Sequence, residues 1–269
     1  RPAFRAIGSD KLQLESDLRR ALERDEISLV YQPIVKLDEG TIAGFEALMR
    51  WEHPRRGAIS PSEFIPIAEN SGLIIQLGLF AMQRAAEDLF AWQEQFPKLE
   101  LFVSVNLSST QLIRQDLIND VRSVLSRIHL NPGSLKLELT ESVLMENPEQ
   151  STHVLARLKA MGIGLSLDDF GTGYSSLAYL TRFPFDIIKI DRSFVKGDQP
   201  QKATLLRSIV SMAHDLGLAV VTEGVESESD ALQLRQMGCE YVQSFMFGQP
   251  TSRDEATRMI REQRDAAAA

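Results

Sequence analysis

The sequence predicts an α/β fold, a TIM-like (β/α) barrel with an antiparallel first strand. Three observations carry this. Short apolar runs alternate with amphipathic stretches of helical period over about 250 residues. The first two apolar runs are joined only by Leu37-Asp38-Glu39-Gly40, and so short a link makes the pair antiparallel, since a parallel crossover needs about a dozen residues or more. A polar or ionisable side chain closes one run after another, as at the carboxyl-terminal mouth of such a barrel. A doubly wound open sheet is the competing architecture, but no glycine-rich nucleotide fingerprint supports it.

The elements follow in order. Residues 10–25 place Leu12, Leu14, Leu18, Ala21 and Leu22 at helical spacing, predicting an amphipathic entry helix. Ile27 to Val35 and Thr41 to Trp51 form the antiparallel pair. Helices are expected near 61–69 and 73–95, before a strand from Leu101 to Leu107. A helix near 116–128 leads to the strand Leu135 to Thr140, and one near 149–161 to the central strand Ile163 to Asp168. A short helix from Ser175, whose hydroxyl suits a cap, precedes the strand Asp186 to Ile190. Helices 201–216 and 228–237 precede the strands Leu218 to Thr222 and Tyr241 to Phe245, and a last helix runs from Ser252 to about Glu262.

Composition excludes several classes of function. The chain has 269 residues, 43% hydrophobic and 25% charged, with a formal net charge of -8 and no basic block. A duplex nucleic acid is therefore not an expected partner, although a small phosphate ligand held through metal is compatible. The single cysteine, Cys239, forms neither a disulfide framework nor a thiolate zinc site and reads as a buried small hydrophobe in a reducing compartment, so a cytoplasmic location is expected. No apolar run is long enough to span a bilayer, so no membrane contact is expected of this domain, though a parent protein could carry an anchor. Starting at Arg1 without a methionine, the chain reads as a domain cut from a longer protein: residues 1–11 a linker from a preceding domain, 12–262 the folded domain, 263–269 a disordered tail.

Candidate functional residues are the polar ends of the strands. They are Gln32; Glu46 and Arg50, which share one face; Asn106, in phase with Ser104; Glu138; Asp168 and Asp169; Lys189, followed in phase by Asp191; Glu223; and Gln243. Singly, each has an ordinary reading as a snorkelling charge, an ion pair or a turn cap. Together they favour one shared site. Glu46, Glu138, Asp168, Asp169 and Glu223 bring five negative charges to one rim, offset by Lys189 alone. Such a cluster stays ionised only beside cations, and its hard oxygen donors, with the Asn106 amide, suit magnesium or manganese better than zinc. The four histidines show no paired ligand spacing.

These residues sit in familiar blocks. Glu46-Ala47-Leu48, within Gly44 to Trp51, resembles the signature of the EAL-domain family, the cyclic di-GMP phosphodiesterases. The resemblance extends over Tyr31 to Val35, Ser104 to Ser108, Leu137 to Ser142, Asp168 to Leu177, Lys189 to Phe194, Glu223 to Glu226 and Gln243 to Pro250. It implies a barrel with an antiparallel first strand, two divalent cations per site, Mg²⁺ or Mn²⁺, and hydrolysis of cyclic di-GMP to linear pGpG. It assigns Glu46, Asn106, Glu138 and Asp168 to the first metal, with Asp168 shared, and Asp169 to the second. Glu223 and Gln243 match residues that support the metals and the attacking water, and Lys189 the lysine that orients that water. Gln32, Leu48, Arg50, Asp191, Glu226 and Gln243 fall at substrate contacts. A homodimer, fusion to sensory or GGDEF-type domains and inhibition by Ca²⁺ are further expectations. Three departures are visible: Met49 for the usual leucine, Thr222 where alanine is common, and Ser244-Phe245 for the commoner Gly-Tyr.

Glu141 stands three residues beyond Glu138, an odd offset that points away from the metals along an extended strand. It reads as a solvated turn acid or a cap near Ser142. The resemblance favours a clamp that holds the loop Phe170 to Gly173 through its backbone or the Thr172 hydroxyl. Two other functions remain open from sequence: a catalytically silent cyclic di-GMP receptor or scaffold, and a barrel hydrolase for another phosphodiester.

Overall fold

The computed structural model describes residues 2–171, 180–195 and 200–268. Eight strands close into a barrel: β1 (Ile27–Lys36), β2 (Ile42–His53), β4 (Phe102–Asn106), β5 (Leu135–Thr140), β6 (Gly164–Phe170), β7 (Ile187–Ile190), β8 (Ala219–Glu223) and β9 (Tyr241–Gln243). β1 is antiparallel to both of its neighbours, β2 and β9, and the pairings from β2 through β4 to β9 are parallel. The predicted architecture, including the reversed first strand, is thus present. A three-residue strand not expected from sequence, β3 (Gly57–Ile59), folds back on the end of β2.

The helices lie outside the barrel. They are α1 (Pro2–Ala21), α2 (Pro61–Ser71), α3 (Ile74–Gln95), α4 (Ser109–Leu112), α5 (Leu117–Arg127), α6 (Glu141–Glu146), α7 (Pro148–Ala160), α8 (Pro200–Asp215), α9 (Glu228–Met237) and α10 (Arg253–Ala268). The helix expected from Ser175 lies outside the described residues. The entry helix is continuous from Pro2, and the last helix runs to Ala268. No single described helix is long and apolar enough to cross a membrane.

Side-chain alternation divides the barrel into layers. Outward-facing residues such as Leu137, Leu165, Ile188 and Val220 pack under the helices in the main core. Inside, Ile34, Ala43, Phe102, Ile187 and Val221 form an apolar plug toward the amino-terminal ends of the parallel strands. One step further along each strand the inward positions turn polar: Gln32, Glu46, Ser104, Glu138, Ser166, Lys189 and Gln243. The plug thus fills one end, and the polar inward positions lie on its mouth side. A second apolar cluster, with Leu14 and Leu18 of α1 against Trp51 and Phe64, docks the entry helix on α2 and the end of β2. Asp17 anchors it, with its carboxylate 3.2 Å from His53 Nε2.

Candidate active site

Four carboxylates converge on one ammonium at the barrel mouth. Lys189 Nζ lies 3.0 Å from Glu46 Oε2, 3.0 Å from Glu138 Oε2, 3.0 Å from Glu223 Oε1 and 3.6 Å from Asp168 Oδ1. The residues come from five strands, β2, β5, β6, β7 and β8, so barrel closure alone brings them together. Lys189 is 1% exposed, Glu138 2% and Glu46 7%. Glu46 is held further by Asn106 Nδ2, which donates to Oε1 at 2.7 Å, and by Gln243 Nε2, which donates to Oε2 at 2.7 Å. Gln243 Nε2 also donates to Gln32 Oε1 at 3.2 Å, tying β9 to β1 where the ladder itself covers only Val35 and Lys36.

Electrostatics follow from burial and charge. Burial disfavours the Lys189 ammonium, but the surrounding carboxylates outweigh it and hold its pKa well above the ordinary value. Burial alone would raise Glu46; the Lys189 charge and the Gln243 and Asn106 hydrogen bonds leave it below the ordinary value. Glu138 is pushed up to about 8 by burial, with Lys189 pulling down against the repulsion of Glu46 and Asp168. Glu223 is raised by burial, again with Lys189 opposing.

The end of β6 departs from a regular strand. The sequence predicted its last residue as Asp168; it continues to Phe170, and its pairing with β7 shifts register between Leu167 and Phe170. Asp169 takes φ 54, a left-handed conformation that aspartate tolerates better than most residues. A regular strand would send adjacent acids to opposite faces. Here the Asp169 N–H donates to Asp168 Oδ1 at 2.9 Å. Asp169 as a whole is exposed, but neighbouring groups desolvate its carboxylate in part, and this together with the Asp168 and Asp191 charges raises its pKa. Gly171 follows at φ 91; a Cβ there would meet the Phe194 ring at 2.4 Å, so only glycine fits.

Two cavities flank the cluster. A groove of about 730 Å³ is lined by Gln32, Glu46, Leu48, Glu223, Glu226 and Gln243, with Arg192 and Ser244 to Met246 completing its walls. Phe245 is 70% exposed. Gly224, at φ 72, lets Arg192 cross its backbone: a Cβ would meet that of Arg192 at 2.2 Å. A cleft of about 340 Å³ opens on the other side between β2, α2, α3 and α4, and includes Leu48, Arg50, Glu69, Asn106 and Gln111. The Arg50 guanidinium donates to its own neighbour, Met49 O, at 2.8 Å.

The EAL domain profile matches residues 15–250. The chain belongs to the EAL domain family. It is 42% identical over 250 residues to the bifunctional diguanylate cyclase/cyclic di-GMP phosphodiesterase MucR of Pseudomonas aeruginosa, covering 92% of this chain and 36% of the relative. It is 43% identical over 249 residues to the cyclic di-GMP phosphodiesterase NbdA of the same organism, covering 90% and 31%. This EAL domain therefore spans about a third of the length of the curated relatives it matches. A solved PaMucR phosphodiesterase in complex with c-di-GMP superimposes with a TM-score of 0.86 at 41% identity, covering 91% of this chain and 99% of that one.

Most of the sequence-predicted residues meet in this EAL domain's mouth: Glu46, Glu138, Asp168, Lys189 and Glu223 in the cluster, Asn106 and Gln243 bonded to it, Asp169 at its edge. Gln32, Leu48 and Glu226 line the groove and Arg50 the cleft. Asp191 sits apart from both cavities as the cap of the turn Arg192–Phe194, its Oδ1 accepting from Ser193 N at 2.9 Å. Glu141 is the first residue of α6, half-buried; its expected partner Thr172 lies outside the described residues. Sequence reasoning missed Arg192, Met246 and the α2 and α3 walls of the cleft. Gly224 was the available signal for Arg192; the cleft walls gave none.

The donor set suits a hard divalent cation. It consists of carboxylate oxygens and one amide oxygen, while His53 and His214 are engaged elsewhere, with Asp17 and Glu240. Four carboxylates around a single ammonium leave a surplus of negative charge, and the raised Glu138 shows what it costs to keep them together without more cations. Among the described residues, no three acidic, histidine or cysteine side chains form a ready-made cage. The carboxylates are turned to Lys189 instead.

Proposed function

We propose that this domain is a metal-dependent phosphodiesterase that hydrolyses cyclic di-GMP to linear pGpG. The observation that carries the reading is the carboxylate cluster around Lys189, set between two cavities in a chain whose relatives are named cyclic di-GMP phosphodiesterases. A cyclic dinucleotide has two bases on either side of a phosphodiester ring. One base would occupy the groove against the exposed Phe245 face, the other the cleft beside Arg50, with a phosphate over the cluster.

Glu46, Asn106, Glu138 and Asp168 would hold one cation and Asp168, Asp169 and Glu223 a second. When bound, two divalent ions supply a polarised phosphate and a water acidified for in-line attack on phosphorus, with the 3′ oxygen leaving. Lys189 presents a fixed ammonium where negative charge develops on the phosphate and orients the attacking water. With two divalent ions and Lys189, five positive charges face five carboxylates, so an anionic diester enters without net repulsion. Gln243 and Asn106 keep Glu46 in one orientation through its two oxygens. The domain acts in the cytoplasm, as a homodimer and within a longer chain carrying sensory or GGDEF-type domains.

Incubation with cyclic di-GMP and Mg²⁺ or Mn²⁺, followed by chromatography, tests this. Conversion to pGpG is expected, stopped by chelation and by Ca²⁺, whose longer bonds and looser coordination misplace the water. Intact dinucleotide in both metals contradicts it. Tight binding without cleavage would instead mark a receptor, and a substrate panel separates other phosphodiesters.

A further inference from the structure

Two hydroxyls inside the barrel are not used by the site as described. Ser104 on β4 and Ser166 on β6 are each 1% exposed, and neither Oγ has a hydrogen-bond partner. Both face inward. Ser104 pairs in register with Glu46, and Ser166 with Glu138. They therefore flank β5 on its two sides, one step toward the plug from Asn106 and Asp168. Glu138 projects from β5 level with Ser166 and one inward step beyond Ser104, whose own register partner on β5 is Lys136. Deeper inward positions are apolar, as at Phe102 and Ile187. A buried hydroxyl without a partner is costly, and alanine would pack in either place with less penalty.

We infer that Ser104 and Ser166 are positioning residues for Glu138, donors that hold its carboxylate from inside the barrel when it turns from Lys189 to a divalent cation. The inference rests on the cation-dependent reading of the site. In the structure Glu138 Oε2 accepts from Lys189 at 3.0 Å, and Lys189 is shared with three other carboxylates. A glutamate that turns to a cation gives up that donor. An ionised carboxylate has about four lone-pair sites, and the two serine O–H groups are inward donors on the adjoining strands that have no other partner, whereas the Asn106 amide is bonded to Glu46. Such partners orient a ligating carboxylate and raise its basicity.

The test uses Ser104→Ala, Ser166→Ala and the double variant. Calorimetric titration of Mn²⁺ into the substrate-free protein is expected to show affinity falling about 10–100-fold in the double variant and less in each single one. KM for cyclic di-GMP at saturating Mn²⁺ should stay unchanged, and Tm in chelator should stay level or rise. Unchanged Mn²⁺ affinity in the double variant overturns the inference. So does a loss of affinity that tracks a falling Tm, which marks a packing role; if the double variant does not fold, the single variants decide by the same criteria. A wild-type protein that takes up no Mn²⁺ overturns the cation-dependent function itself, and this inference with it.

Discussion

A lysine enclosed by four carboxylates, as Lys189 is, neutralises only one of them, so the remaining charge has to be met by protons or by cations. Glu138 reports which. Its pKa of about 8 lies above an ordinary 4.5 because the folded chain binds the proton more tightly. The stability this contributes is fully present below pH 4.5 and is lost as pH rises through about 8. In chelator, the Tm of the wild type should therefore fall between about pH 5 and pH 8 more steeply than that of Glu138→Gln, and Mg²⁺ should restore the wild type at the upper end. Parallel melting curves in chelator would show that Glu138 carries no such proton. The identities of these residues were legible, because a charged side chain at the end of an apolar strand is conspicuous. That Lys189 shares their rim was legible too; that its ammonium stands within 3.0–3.6 Å of four of them was not, because it depends on side-chain packing inside the barrel.

At the level of elements, period and length decided what could be read. The eight barrel strands and the long helices have enough residues to show a period. β3, α4 and α6 have three, four and six residues, too few to show one, and the register shift that places Asp168 and Asp169 depends on the partner strand β7. α6 also changes the reading of Glu141, which opens a helix instead of standing in a solvated turn. As a carboxylate in a first helical turn it is worth about 0.3–1 kcal/mol of stability and nothing to metal binding. As the clamp that the resemblance implies, it would act on the loop that follows Asp169. Glu141→Ala is accordingly expected to lower turnover severely and shift its Mg²⁺ dependence, with a melting change no larger than that of a lost helix-end charge. Identical kinetics across a Mg²⁺ titration would leave only the helix-end role.

For the whole molecule, the alternation of strands and helices was enough to fix a barrel, and the short link after β1 was enough to reverse its first strand. The cavity walls were not legible: the cleft is lined from β2, α2, α3 and α4, elements apart in sequence that meet only by packing. Quaternary structure is a separate expectation. Sedimentation at high micromolar concentration should show a homodimer; a fully active monomer would remove that expectation and leave the site intact. The central claim, that the carboxylates at the mouth are a two-cation hydrolytic centre, is tested most directly through Asp168, the ligand shared by both proposed ions. Turnover of cyclic di-GMP at saturating Mg²⁺ should fall by more than about 100-fold in Asp168→Asn, since even the outer partners of metal ligands are worth about 10–100-fold, while the dinucleotide still binds. Near-native production of pGpG by Asp168→Asn would contradict the two-cation assignment.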